Sequence, residues 1–169
     1  MNAQGRERQR GAVLIEFALT LIPLLMVFFG IIGMALTMWA YNTLSFAVRE
    51  GARYAASKGQ NCNTYGNNCA ATVADIAQYI ASAGVGLDPS QLNLTLTSAA
   101  GTVSCLPLQS CYSNSSIWPP PSANAPGTNY IDLSGSYPTP LGLSLLFLPN
   151  TSSTSSLRLP ASCRQPIQF

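Results

Sequence analysis

Hydrophobic positions along the chain change their rhythm several times. Residues 12–41 are apolar on every side, interrupted only by Glu16, Thr20 and Thr37, so this stretch has no polar face and no amphipathic period. From residue 42 the apolar positions thin out to Leu44, Val48, Ala52 and Ala55 at helical spacing, with Ala47, Gly51 and Ala55 forming a second face of small residues. Together the two stretches predict one continuous helix from about Ala12 to Ser57, ended at Lys58-Gly59. Glu50 and Arg53 are spaced to pair on its flank.

Beyond that helix the pattern becomes that of a small mixed domain. Residues 70–83 place Val73, Ile76, Ala77 and Ile80 on one face and stop at Gly84 and Gly86, predicting a second helix. Residues 91–98 alternate, with Leu92, Leu94 and Leu96 on one side and Asn93, Thr95 and Thr97 on the other, predicting a half-buried strand. Residues 128–137 and 155–161 predict two more strands, the last weakened by Pro160. Residues 60–68 and 113–127 read as polar loops, the second with polyproline character at Pro119-Pro120-Pro121. Residues 141–148 are apolar but too short to span a bilayer; a short helix, a buried strand and a surface patch all fit them. The fold class is α+β: a long N-terminal helix whose second half packs on a small domain with one further helix and a short antiparallel sheet.

Charge sharpens this picture. Only 8% of the 169 residues are charged, about a third of the usual share, and the net charge is +2. Residues 17–41 carry none. A helix over that run is roughly 37 Å long, enough to cross a hydrocarbon core of about 30 Å with some tilt. A removable signal peptide fits poorly, because the apolar stretch is too long and no small-x-small cleavage site follows it. The chain has no His, which excludes Ser-His-Asp triads, Cys-His nucleophiles and His-bearing zinc sites. No catalytic residue, metal site or cofactor is expected, and the small net charge gives no footprint for nucleic acid.

The basic residues do not orient the span: Arg6, Arg8 and Arg10 precede it, and Arg49, Arg53 and Lys58 follow. The cysteines do. Cys62, Cys69, Cys105, Cys111 and Cys163 all lie after the span, none in C-x-x-C spacing. Cys62 with Cys69 and Cys105 with Cys111 read as short disulfide loops in an oxidising compartment, leaving Cys163 over; other pairings of five cysteines stay open. The N-terminus is then expected inside and the remainder outside.

Glu16 is the unusual residue. It follows four apolar residues, where a carboxylate costs free energy unless it finds a partner. A cut after Gly11 would supply one, because the new α-amino group of Ala12 would lie at nearly the same membrane depth. Amine and carboxylate from neighbouring chains could neutralise each other and fix the axial register. Snorkelling of Glu16 to the headgroups is the other physical reading. Pro23 removes one backbone hydrogen bond and should bend the helix. Gly30, Gly33, Thr37 and Ala40 recur at spacings of three and four as a stripe where another helix can approach.

Gly11, four apolar residues, Glu16 and Phe17, after a short basic leader, resemble the cleavage site of type IV prepilins. The run Arg10-Gly11-Ala12-Val13-Leu14-Ile15-Glu16-Phe17, then Ile22-Pro23-Leu24-Leu25, Tyr41-Asn42-Thr43-Leu44 and Arg49-Glu50-Gly51-Ala52-Arg53-Tyr54-Ala55-Ala56, is similar to the TadE-like pseudopilins of the tight-adherence (Flp) pilus. The resemblance covers residues 10–57. One departure is the absence of an acid in Ile32-Gly33-Met34, where many relatives carry a second one; it leaves a usual assembly factor and a variant subunit both open.

The resemblance implies a leader over residues 1–11, cut between Gly11 and Ala12 by a prepilin peptidase. It implies a transmembrane half over 12–41, an exoplasmic half of the helix over 42–58, and an exoplasmic domain over 59–169. Glu16, Phe17, Gly30 and Gly33 become subunit contacts, with other pilin-like subunits and the pilus assembly platform as partners. The expected location is the bacterial inner membrane, N-terminus cytoplasmic. An uncleaved single-span protein with an exoplasmic binding or adhesion domain is the alternative.

Overall fold

A computed structural model describes residues 3–58, 70–120, 130–140 and 156–167. The elements are α1 (Ala3–Ser57), α2 (Val73–Ala83), β1 (Asn93–Ser98), β2 (Gly101–Cys105), a 3₁₀ turn at Leu108–Cys111, β3 (Tyr130–Pro140) and β4 (Ser156–Pro166). The expected α+β architecture holds, with one long apolar helix, one further helix and a four-stranded sheet. The chain divides into two compact units, Met1–Thr37 with Pro140–Ser155, and Met38–Thr139 with Ser156–Phe169. The loop expected at residues 60–68, the apolar run 141–148, and Cys62 and Cys69 lie outside the described residues.

α1 ends where its sequence said, at Ser57, but begins at Ala3 rather than Ala12. Residues 3–10 include three Arg and two Gln with one Ala and one Glu, all good helix formers, and extend the helix upstream. In the second unit α1 buries Leu44, Val48, Ala52 and Ala55, the row anticipated from spacing, with Ala47 of its small-residue face; Ala40, expected in the stripe open to another helix, is buried here as well.

α2 begins with a reciprocal cap. Thr72 Oγ1 accepts from the Asp75 backbone N–H at 3.1 Å, while the Thr72 N–H donates to Asp75 Oδ2 at 2.9 Å. Its buried face is Val73, Ile76, Ala77 and Ile80. α2 runs back along α1: Tyr54 and Tyr79 stack with centroids 4.5 Å apart, and a Cβ on Gly84 would lie 3.6 Å from Ala47 Cβ.

The strand order is β2-β1-β3-β4. β1 pairs antiparallel with β2, Leu94 opposite Cys105, and with β3, Leu94 opposite Gly135. Alternation places Leu94 and Leu96 of β1 and Ile131 and Leu133 of β3 in the core against the helices. Gly135 permits a close approach of the sheet to α1, since a Cβ there would lie 2.9 Å from Val48 Cγ2 and 3.3 Å from Leu44 Cδ1. Burying each such Leu or Ile stabilises the fold by about 1.5–3 kcal/mol.

β2 was not anticipated, and β4 runs on to Pro166 instead of stopping at residue 161. β4 is an edge strand, so Pro160 costs it no ladder partner on its open side. The Arg164 guanidinium stacks over the Tyr130 ring at 3.4 Å, adding a cation–π contact from β4 to β3. The polar segment before residue 120 is held by backbone hydrogen bonds from Val73 N to Ser116 O, Ala74 N to Asn114 O, and Trp118 N to Ala71 O.

Candidate membrane and subunit interface

Within the first unit α1 is an apolar rod, exposed along most of its length among the described residues. Val13, Leu14, Ile15, Phe17, Leu19, Val27 and Ile31 are each at least 60% exposed. Almost none of the apolar stretch is buried in the protein, which separates it from the core helix of a water-soluble domain. It is long and apolar enough to cross a membrane. Such a surface is stable only where lipid or other apolar helices replace water.

Glu16 interrupts that surface. It is exposed between Ile15 and Phe17, and its carboxylate has no partner among the described residues. Thr20 Oγ1 donates to the backbone carbonyls of Glu16 and Phe17 at 3.2 and 3.0 Å, so the local hydroxyl is used by the helix itself. Gly11 and Ala12 lie inside α1. A Cβ on Gly30 would meet nothing within 4 Å, which leaves that face open to a neighbouring helix. Gly33 is buried, and its carbonyl accepts from Thr37 Oγ1 at 2.9 Å.

The second unit carries the polar chemistry. Arg53 Nη1 donates to Glu50 Oε1 at 3.2 Å, an exposed pair contributing about 0–1 kcal/mol. Lys58 Nζ sits 4.7 Å from the centroid of the Tyr54 ring, which stacks on Tyr79. An open groove is lined by Glu50, Arg53, Tyr54, Ser57, Tyr79 and Gln165. Glu50, Arg53 and Tyr54 share a helix and were visible in the sequence; Tyr79 and Gln165 come from α2 and β4, and no local spacing could have brought them there.

Cys105 and Cys111 are joined by a disulfide with Cα atoms 5.5 Å apart. It ties the end of β2 to the 3₁₀ turn, and both residues are buried. Cys163 is a half-buried free thiol whose Sγ accepts from Gln165 Nε2 at 3.6 Å. The Asp75 carboxyl is held below its ordinary value by the hydrogen bonds it accepts from the Thr72 backbone and hydroxyl. Asp88 is held low in the same way by Ser90, whose hydroxyl donates at 2.7 Å.

The exposed apolar run, Glu16 within it and the Arg49-to-Ala56 block all lie in one N-terminal stretch, and that stretch decides the family likeness. Residues 11–53 match the TadE-like protein family. The TadE-like region takes in the Gly11–Ala12 junction, Glu16, Phe17, Gly30, Gly33 and the Glu50–Arg53 pair, and stops short of α2 and the sheet. No curated protein and no solved structure matches the chain.

Proposed function

We propose that the chain is a minor pilin or pseudopilin, cut by a prepilin peptidase between Gly11 and Ala12 and acting in assembly of a tight-adherence type IV pilus. The observation that carries this reading is the Glu16 carboxylate, without a partner among the described residues, on a largely exposed apolar helix inside the residues that match the TadE-like family. Cleavage would create an α-amino group one helical turn from Glu16. In the low-dielectric membrane, that amine on one subunit and the Glu16 carboxylate on its neighbour would each remove the other's desolvation cost. The open face at Gly30 would let the two helices pack closely.

Gly11 suits the cut for a separate reason. Glycine inside a helix costs about 0.5–1 kcal/mol relative to Ala, so α1 opens more easily at Gly11 than it would with Ala there. The leader would face the cytoplasm and the disulfide-bearing domain the exoplasm, anchored in the inner membrane. Its partners would be the peptidase, other pilin-like subunits and the assembly platform.

Intact-mass analysis of the chain purified from its host tests the reading. A mature chain starting at Ala12 is expected, and Gly11→Ala should retain the leader. A native chain that keeps residues 1–11 while the host peptidase is active would instead favour an uncleaved, membrane-anchored binding protein.

A further inference from the structure

We propose that the exoplasmic domain rests on the outer surface of the bilayer through the α2–β1 turn, with Val85 and Leu106 inserted at the headgroup boundary beside Trp39. This rests on the reading of α1 as a membrane span.

Trp39 lies near the end of the charge-free run 17–41, where an interfacial aromatic is favoured. Its ring lies against the backbone of Gly86, whose φ is +83°; a Cβ there would collide with the ring edge and lie 3.1 Å from Cζ2. The turn is thus held at the level of the helix where lipid should give way to water. Val85, next to Gly86, is 71% exposed.

The sheet brings a second apolar residue to the same end. Gly135, opposite Leu94, approaches Leu44 and Val48 of α1, whereas Leu133, opposite Leu96, lies at the level of Gly51. β1 therefore runs away from Trp39, and its first residues point back toward it. Cys105 pairs with Leu94, so Leu106 follows at this end of β2 and is 61% exposed. Val85 and Leu106 are the two most exposed large apolar side chains outside α1 among the described residues. Ile117, at 38%, pairs with Thr72 at the opposite end of α2.

Charge agrees with the placement. The next charge along α1 after Trp39 is Arg49, on the order of 15 Å further by helix rise. Asp88 is exposed three positions beyond Val85, which limits the turn to headgroup depth and keeps it out of the hydrocarbon. A short apolar turn beside an interfacial Trp is the kind of contact that fixes how an exoplasmic domain stands on a membrane.

Photocrosslinking of the full chain in bacterial membranes tests this, with p-benzoylphenylalanine placed singly at four positions and adducts identified by mass spectrometry. Val85→p-benzoylphenylalanine and the same change at Leu106 should give phospholipid adducts. Leu36 should also give them, as the marker of the span, and Thr102, in the distal β1–β2 hairpin, should give none. Lipid adducts at 36 with none at 85 and 106, or with protein adducts there instead, would overturn the bilayer contact while leaving the span intact. Absence of lipid adducts at 36 would overturn the span, and the contact with it.

Discussion

Gly51 and Ile80 meet where α1 lies against α2, with no space for a β-carbon between them: a Cβ on Gly51 would stand 2.6 Å from Ile80 Cδ1 and 3.6 Å from Leu133 Cδ2. The small residue is what lets one helix press against both α2 and the sheet. Gly51→Ala gains up to about 1 kcal/mol of helix propensity but overpacks the contact by about 1–3 kcal/mol. A net loss of stability is expected, larger for Gly51→Leu, measured by thermal unfolding of the purified chain in detergent. Ile80→Ala opens a cavity, and Gly51→Ala added to it should then cost less than it does alone. A strictly additive double-mutant cycle would mean that the two side chains do not share that space.

The Cys105–Cys111 bond closes a short loop at the edge of the sheet, with both sulfurs buried. Cys105→Ser with Cys111→Ser should lower stability by about 2 kcal/mol through the freed unfolded chain. Equal unfolding midpoints for the variant and the oxidised protein would refute a stabilising role. Reduction of the native protein should cost at least as much.

Acid should loosen the start of α2. The Asp75 carboxyl is depressed below its ordinary 3.8 in the folded state, chiefly by the Thr72 backbone N–H and then by the Thr72 hydroxyl. A depressed acid stabilises the fold above the unfolded value, and that contribution fades as pH falls from about 4 through the lower folded value. Unfolding titrations from pH 5 to pH 2 should show stability falling across this window. Asp75→Asn should flatten part of the fall, and an unchanged slope would place the acid sensitivity elsewhere, Asp88 being the next candidate.

Those elements differ in how plainly the chain announces them. The first half of α1 is legible from its long charge-free apolar run, its second half and α2 because their buried rows repeat at helical spacing, and β1 because Leu94 and Leu96 alternate with polar neighbours. β2 is not, because Gly101–Cys105 is largely exposed and only Cys105 is buried, so no alternation marks it. Pro160 argues for an early stop in β4, yet the ladder continues because an edge strand tolerates proline, and edge position is a property of the assembled sheet. The same limit applies to function. Glu16 stands out as an acid in an apolar run, whereas the contact of Trp39 with Gly86 joins residues far apart in the chain and exists only once α2 has folded back along α1.

Two acids on α1 should therefore behave differently when removed. Glu50 is already paired with Arg53 at an exposed surface, and Glu50→Ala should change stability by no more than about 1 kcal/mol. Glu16 has no partner among the described residues and faces outward from an apolar helix, so its removal should relieve a desolvation cost in the isolated chain. Under the proposed assembly role, Glu16→Ala should leave unfolding of the second unit and the proposed cleavage after Gly11 unchanged while abolishing co-purification with pilin-like subunits. Glu16→Gln, which keeps the shape but not the charge, should fail in the same way. Normal assembly of Glu16→Gln would show that shape or hydrogen bonding suffices there, and the amine–carboxylate pairing between subunits would have to be given up.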